Sequence, residues 1–184
     1  MPNYRRYWIE GGCYFFTVTL NRRQESVSLV QQIELFRAAV RRVRSKLPFT
    51  IDACVVLPDH VHAIWTLPAV DKDFATRWRL IKMGFTRGLP PLANVSWSRS
   101  SRGERGVWQQ RFWEHVVRDD ADYAAHMDYI HANPVRHGLA AQPADRPYST
   151  FRAAVARGLY PVSWLGEHAA EFPAGEPTSL PEVP

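Results

Sequence analysis

Apolar and polar positions along the first half of the chain alternate between strand-like and helix-like spacing. Segments rich in aromatic and β-branched residues predict three strands, over residues 14–20, 50–57 and 60–67. Apolar residues three and four positions apart, with arginines between them, predict two helices, over residues 28–46 and 71–87. The turn Pro58-Asp59 joins the second and third strands into a hairpin.

The second half of the chain adds an extended segment and a long helix. Residues 107–117 predict a strand or a paired extended segment. Asp119 is the predicted N-cap of the helix that follows. We expect this helix to end at Pro134, because the residue before a proline avoids the helical region. A further short helix is predicted over residues 148–157.

The predicted order of elements, β-α-β-β-α-β followed by a helix, is the split βαβ arrangement of ferredoxin-like folds. We therefore expect an α+β protein, an RRM-like antiparallel sheet with helices packed on one face and its other face available. Residues 1–160 would form this single domain. Residues 161–184 are expected to form an acidic, proline-rich, disordered tail.

Composition narrows the class of protein. A chain of 184 residues is long enough for one domain with a core, and 46% hydrophobic residues exclude a disordered chain. No apolar run approaches the roughly 20 residues that span a bilayer. The formal net charge is +5, and nine basic residues lie between Arg77 and Arg118 against only Glu104 and Glu114. Arginine forks bind phosphate and stack on bases, so nucleic acid is a candidate partner.

Two histidines in the third strand predict half of a metal site. His60 and His62 flank Val61, and alternate side chains of a strand point to the same face. Both imidazoles therefore project together, while Val61 points into the core. Asn133 can add a carbonyl oxygen, a hard ligand that suits Mg²⁺ or Mn²⁺. The histidines that compete with it for the third position are His115, His126 and His131.

Tyr129 and Asn133 share one face of the last long helix, because they lie one helical turn apart. Tyr123, Met127 and Ile130 lie on a neighbouring stripe that should pack onto the sheet. Tyr129 would then stand at the edge of the core, facing whatever the histidine pair binds. A phenol has a pKa of about 10 and is a weak nucleophile unless a metal or a base assists it. A partly buried tyrosine with a hydrogen-bonded hydroxyl is the other interpretation.

Aromatic and basic residues ahead of this helix are candidates for holding DNA. Residues 90–106 predict a mobile basic loop, and residues 108–118 mix tryptophan, glutamine, arginine and phenylalanine. The tryptophans can equally belong to the core. The candidate DNA-binding residues are Arg99, Arg102, Arg105, Trp108, Arg111, Trp113, Arg118 and Arg136.

Three segments, in this order and spacing, carry a resemblance to a known family. They are Leu57-Pro58-Asp59-His60-Val61-His62, residues 108–118, and residues 129–139. Over residues 4–157 the chain resembles the REP-associated tyrosine transposases, which belong to the single-tyrosine HUH endonuclease superfamily. The resemblance assigns the metal ligands to His60, His62 and Asn133 and the nucleophile to Tyr129. Related insertion-sequence transposases commonly have glutamine at the position of Asn133.

The resemblance implies a metal-dependent single-strand DNA endonuclease and strand-transferase, a transposase that acts on hairpin-forming DNA. Mg²⁺ or Mn²⁺ would be bound at the scissile phosphate, and Tyr129 would become joined to the 5′ phosphate. The resemblance also implies a bacterial cytoplasmic enzyme that works at the nucleoid as a monomer or homodimer. Its partner would be single-stranded or hairpin DNA, with no membrane partner.

Two other functions remain open from the residues alone. The first is a ferredoxin-like nucleic-acid-binding module without catalysis, in which the histidines and the tyrosine stack on bases. The second is a metal-dependent phosphoesterase that uses activated water. A covalent adduct between protein and DNA would distinguish the transposase from both.

Overall fold

The structure is a computed structural model that describes residues 7–21, 27–90 and 106–166. Its strands are β1 (Cys13–Thr19), β2 (Thr50–Val56), β3 (His60–Thr66) and β4 (Trp113–Val116). Its α-helices are α1 (Ile33–Lys46), α2 (Phe74–Gly88), α3 (Asp120–Arg136) and α4 (Phe151–Ala156). A short 3₁₀ helix, Pro143–Asp145, precedes α4.

The four strands form one sheet in the order β2-β3-β1-β4, with antiparallel neighbours throughout. This is the strand order of the split βαβ arrangement, so the α+β, ferredoxin-like prediction is confirmed. In the β1–β3 register Thr17 lies opposite His62 and Thr19 opposite His60. Both histidines are therefore held beside a central strand of the sheet.

Helices α1 and α2 cover one face of the sheet over a large aromatic core. The ring of Trp65 stacks on Trp78 with 4.2 Å between centroids, and its centroid lies 4.1 Å from that of Phe49. Phe16 and Phe74 pack into the same cluster and are fully buried. This face carries most of the apolar burial that stabilises the fold.

Helix α3 covers part of the opposite face, which we expected to remain available. Met127 and Ile130 are buried against Phe15 and Ile64 of the sheet, as predicted for that stripe of the helix. Both surfaces are apolar, so each buries the other from water. A second, smaller core therefore lies beneath the helix that carries Tyr129.

The N-terminus of α3 follows the prediction, but its C-terminus does not. The side chain of Asp119 accepts the backbone N–H of Asp122 and caps the helix. The helix then continues through Pro134 to Arg136. The last turn uses other donors, since the N–H of His137 bonds to the carbonyl of Asn133 at 3.0 Å. A proline removes only its own donor, so the chain beyond it can stay helical.

Two further predicted elements are shorter in the structure. Of residues 107–117, only Trp113–Val116 form a strand, while Trp108 makes an isolated bridge to Leu20. The helix predicted over residues 148–157 is confined to Phe151–Ala156. Almost all of the predicted basic loop and the tail beyond residue 166 lie outside the described residues. None of the helices in the described ranges is long and apolar enough to cross a membrane.

Candidate active site

The two histidines of β3 project together towards the α3 side of the sheet, as predicted. The centroids of the His60 and His62 rings are 4.7 Å apart, while Val61 lies in the core on the other face. His62 is 2% exposed, and His60 is partly exposed. The pair therefore forms a two-nitrogen donor set at the boundary between the core and solvent.

A neighbouring oxygen engages the Nδ1 atom of each histidine. Asp59 Oδ1 lies 2.7 Å from His60 Nδ1, and Thr17 Oγ1 lies 2.9 Å from His62 Nδ1. An ionised carboxylate only accepts, so His60 Nδ1 carries the proton; the threonine hydroxyl can accept in the same way. Each neutral ring then presents Nε2 as the atom that a metal would bind.

The electrostatic surroundings keep His62 and Asp59 in the form that metal binding needs. Burial, together with the neighbouring His60 and His137, lowers the pKa of His62 well below its usual value. The hydrogen bond from His60 lowers the pKa of Asp59. A neutral imidazole beside an ionised carboxylate is the state in which histidine binds metal ions.

Tyr129, Asn133 and His137 form a row at four-residue intervals along α3 and just beyond its end. The Tyr129 ring lies edge-on to His62, with 5.1 Å between centroids. The His137 ring lies 5.3 Å from that of His60. Both neighbours of Asn133 in this row therefore contact the histidine pair. Asn133 lies between them in the sequence, one helical turn from each.

Asn133 offers an oxygen that suits a metal ion. The residue is 1% exposed, and among the described residues its Oδ1 has no hydrogen-bond partner. Leaving a buried acceptor unsatisfied costs about 1–3 kcal/mol, so such an atom indicates a missing ligand. Amide oxygen is a hard donor of the kind that Mg²⁺ and Mn²⁺ prefer.

His131, which competed with Asn133 for the third position, lies on another side of α3. Its Nε2 is 3.1 Å from Thr150 Oγ1, and its ring contacts Tyr160 edge-on. Burial lowers the pKa of His131 to about 4. The residue therefore belongs to the packing between α3 and the segment around α4.

The other two competing histidines form a group of their own. The rings of His115 and His126 are stacked with 4.7 Å between centroids. Together with Asp122 they form a group that could hold a metal ion. The structure thus separates two sets of candidate ligands that the sequence left together.

Tyr129 is partly buried between the small core and charged groups. Its ring contacts Phe15 at 5.9 Å between centroids, and the guanidinium carbon of Arg136 lies 5.5 Å from the ring centroid. The contact is a cation–π interaction, which places a positive charge beside the Tyr129 ring.

The candidate DNA-binding residues divide into four groups. Trp113 is partly exposed on the α3 side, and its ring lies 5.6 Å from that of Phe15. Trp108 instead belongs to the core, where its ring packs 5.4 Å from Phe85, so it offers no face for a base to stack on. The exposed arginines are Arg111, Arg118 and Arg136. Those that lie outside the described residues are Arg99, Arg102 and Arg105.

Sequence reasoning missed three residues of this site. Thr17 lies far from His62 in the chain, and only the β1–β3 register brings the two together. Asp59 was interpreted as a turn residue and not as a partner of His60. His137 continues the four-residue spacing of Tyr129 and Asn133, and that spacing could have revealed it.

Comparison with known proteins gives close relatives along nearly the whole chain. No protein-family model matches it. A REP-associated tyrosine transposase of Escherichia coli (strain K12) is 47% identical over 176 residues, which cover 96% of this chain and 98% of the relative. A putative REP-associated tyrosine transposase of Haemophilus influenzae is 43% identical over 167 residues, covering 90% and 94%.

A solved structure supports the same conclusion. It shows a REP-associated tyrosine transposase bound to a REP hairpin, and it is 46% identical in sequence to this chain. It matches with a TM-score of 0.79 and covers 98% of this chain and 100% of its own. The fold and this similarity agree, and the chain belongs to the REP-associated tyrosine transposases, enzymes of the HUH fold.

Proposed function

We propose that the protein cuts and rejoins single strands of hairpin-forming DNA, with Tyr129 as the nucleophile. The observation that carries this proposal is that the Tyr129 ring of α3 lies edge-on to His62 of the histidine pair, with 5.1 Å between ring centroids. Asn133 lies one helical turn further along α3. The REP hairpin bound by the solved relative supports hairpin DNA as the substrate.

The metal ligands in this proposal are His60 Nε2, His62 Nε2 and Asn133 Oδ1. The residues fit a divalent ion, because Asn133 Oδ1 is buried without a hydrogen-bond partner among the described residues. Thr17 and Asp59 engage the Nδ1 atoms and so orient both rings. When bound, Mg²⁺ or Mn²⁺ would supply positive charge to the scissile phosphate and its transition state.

Tyr129 would carry out the chemistry in two transfers. Its hydroxyl oxygen attacks phosphorus and loses its proton to water, forming a bond to the 5′ phosphate. The bond to the 3′ oxygen breaks, and that oxygen leaves as a hydroxyl after taking a proton. A second 3′ hydroxyl can then attack the phosphotyrosine, joining new DNA ends and restoring Tyr129. The phosphodiester linkage is retained throughout, so the reaction needs no ATP.

Arg136 and the exposed side of the site would assist by holding DNA. The guanidinium of Arg136 over the Tyr129 ring places a positive charge where the phosphate must approach. Trp113 offers a partly exposed ring on the same side for a base of the hairpin. These contacts would orient the scissile bond towards Tyr129.

The two other functions fit the geometry less well. His62 is 2% exposed, so it cannot stack on a base as the non-catalytic module requires. A phosphoesterase that uses water gives no role to a tyrosine beside the histidine pair. Arg136 over that tyrosine has no role in such a mechanism either.

A denaturing gel with labelled single-stranded hairpin DNA and Mg²⁺ or Mn²⁺ tests the proposal. Wild type should form a covalent adduct, and Tyr129→Phe should lose cleavage by at least about a thousandfold, because only the attacking oxygen is removed. Tyr123→Phe, on the same helix, is the matched control and should cleave normally. Both variants should keep hairpin binding.

Two results would contradict the proposal. Cleavage by Tyr129→Phe without any adduct would indicate a water-using phosphoesterase. Hairpin binding by wild type without cleavage at any metal concentration would indicate a binding module.

A further inference from the structure

A second group of metal-binding side chains lies near the start of α3. Asp122 and His126 are one helical turn apart, and His115 reaches them from β4. One ligand atom from each residue lies within 4.8 Å of the other two. His115 Nε2 is 2.8 Å from Asp122 Oδ2, and His126 Nδ1 is 3.1 Å from Asp122 Oδ1.

The two shortest of these separations, which involve different oxygens of Asp122, are close to the spacing of ligands around a small divalent ion. Tetrahedral bonds of about 2.0–2.1 Å to nitrogen and oxygen place the ligand atoms about 3.3 Å apart. Two imidazoles and one carboxylate favour a borderline ion such as Zn²⁺ over Mg²⁺, which prefers oxygen ligands. The His115 and His126 rings are stacked with 14° between their planes, so one ring must turn before both nitrogens point at the same ion. His115 is the more exposed of the two and is the ring with room to turn.

The group is charged and partly open to solvent. Burial raises the pKa of Asp122, but hydrogen bonds from His115 and Arg118 outweigh it and bring that pKa to about 2. His126 is 1% exposed, whereas the His115 side chain is 26% exposed. An ion could therefore enter from the His115 side and meet an ionised carboxylate.

Arg118 competes with an ion for this carboxylate. Its backbone N–H donates to Asp122 Oδ2 at 3.0 Å. Its Nε lies 3.1 Å from Asp122 Oδ2, but its side chain is 69% exposed. An exposed ion pair contributes little to stability, so the Arg118 side chain can turn to solvent when an ion supplies the positive charge, while its backbone N–H stays on Oδ2. The ion would also replace the proton that His126 Nδ1 shares with the backbone oxygen of Asp122 at 2.7 Å.

We propose that His115, Asp122 and His126 form a second divalent-metal site, of the Zn²⁺ type, separate from His60 and His62. The ion would fix β4 to the first turns of α3 without touching DNA.

The site also connects to the proposed catalytic centre through packing. The His126 ring is 4.8 Å from that of Phe15, and Phe15 contacts both Tyr129 and His62. Zn²⁺ binding itself does not depend on the proposed function. Only the importance of bound Zn²⁺ for the position of Tyr129 rests on the proposed function.

The test uses the full chain carrying His60→Ala and His62→Ala, which removes the other metal site. After removal of metals by a chelator, the protein is titrated with Co²⁺, followed by its visible spectrum, and then with competing Zn²⁺. We expect one bound ion and a higher melting temperature with Zn²⁺. Adding His115→Ala should raise the Zn²⁺ dissociation constant by about a hundredfold or more.

The controls separate a built site from general surface charge. Asp120→Asn removes an exposed acid from the same turn of α3 and should leave Zn²⁺ binding unchanged. His115 is partly exposed, so its replacement should leave the fold intact, which circular dichroism would verify.

Three results would overturn the proposal. If the His60→Ala/His62→Ala protein binds no Zn²⁺, then His115, Asp122 and His126 form only a hydrogen-bond network. Unchanged affinity after His115→Ala, or an equal loss after Asp120→Asn, would place the bound ion elsewhere. Hairpin cleavage by the wild type is measured separately, so failure of this site and failure of the proposed function are distinguishable.

Discussion

The two faces of the sheet differ in the size of their apolar core and in the polar side chains that they bury. On the α1 and α2 side the buried side chains are mainly aromatic and aliphatic, with Trp65 and Trp78 at the centre. On the α3 side a smaller apolar group around Phe15 is bordered by His62 and Asn133. Strand β3 serves both faces, because its alternate side chains point in opposite directions.

This division shows how one strand can place residues that stabilise the fold on one face of the sheet and residues for chemistry on the other face. Buried polar groups lower stability unless they find partners, and a large apolar core can offset that cost. Trp65 stabilises one face, and His62, three residues away on the same strand, is available for chemistry on the other. Substitutions on the two faces should therefore have different consequences.

The largest expected contrast is between Trp65→Ala and His62→Ala. Trp65→Ala should lower the free energy of unfolding by about 3–5 kcal/mol, because it leaves a cavity among stacked rings. His62→Ala should cost less stability and yet reduce hairpin cleavage by about a hundredfold or more. Urea denaturation and cleavage rates of both variants measure this. Equal destabilisation, with cleavage lost only in proportion to unfolding, would make His62 structural.

A fall in pH should destabilise the α3 side of the sheet before the α1 and α2 side. The reason is that every histidine in the described residues lies on the α3 side or at its edge. The pKa of buried His131 falls from 6.5 to about 4, below its unfolded value, so its contribution is full above pH 6.5 and is lost as pH falls towards 4. The full difference corresponds to about 3 kcal/mol.

Replacing His131 measures this contribution. His131→Gln should remove most of the pH-dependent stability that His131 contributes. Urea denaturation at about pH 7.5 and about pH 5 would show this as a smaller difference in the free energy of unfolding between the two pH values. Some pH dependence should remain in the variant, since burial also lowers the pKa of His62. An unchanged pH dependence would mean that His131 is not the titrating group.

A smaller effect is expected at Thr17, which lies on β1 opposite His62. Thr17→Val keeps the shape but removes the hydroxyl beside His62 Nδ1, so the ring is no longer held for metal binding. The metal concentration for half-maximal cleavage should rise about 10–100-fold, and Thr17→Ser should restore it. Hairpin binding without metal is the control and should not change. Identical metal dependence in Thr17→Val would remove Thr17 from the site.

The smallest effect concerns the salt dependence of hairpin binding. Each phosphate contact on a single strand contributes a slope of about 0.7, so Arg111→Gln should flatten the slope by about that amount. Arg41→Gln, exposed on α1 at the other face, is the matched control. Replacing Arg99, Arg102 and Arg105 together should flatten it further. An unchanged slope in that triple variant would direct the search for DNA contacts to Arg118 and Arg136.

The sequence predicted the features that depend on local periodicity. Alternation along β3 placed His60 and His62 on one face, and helical spacing placed Tyr129 beside Asn133. The side chain of Asp119 was also predicted as a helix cap, because its oxygen satisfies an exposed N–H at the helix start.

Features that depend on distant partners could not be predicted in the same way. The burial of Trp108 requires knowing that Phe85 packs against it. The helical turn after Pro134 runs against the local preference of the residue before a proline, and no pattern in the sequence indicates it. Likewise, nothing in the spacing of His115 and His126 distinguishes a group around Asp122 from a third ligand for His60 and His62.

The central claim is that the α3 side carries out covalent chemistry through Tyr129. The most direct measurement is mass spectrometry of peptides from the adduct formed with hairpin DNA and Mn²⁺, after digestion of both protein and DNA. The account predicts a nucleotide 5′ phosphate on Tyr129 itself, which fragmentation of the peptide must distinguish from Tyr123, because no Lys or Arg separates the two. A nucleotide on Tyr123 or another tyrosine, or cleaved DNA with no modified peptide, would contradict it.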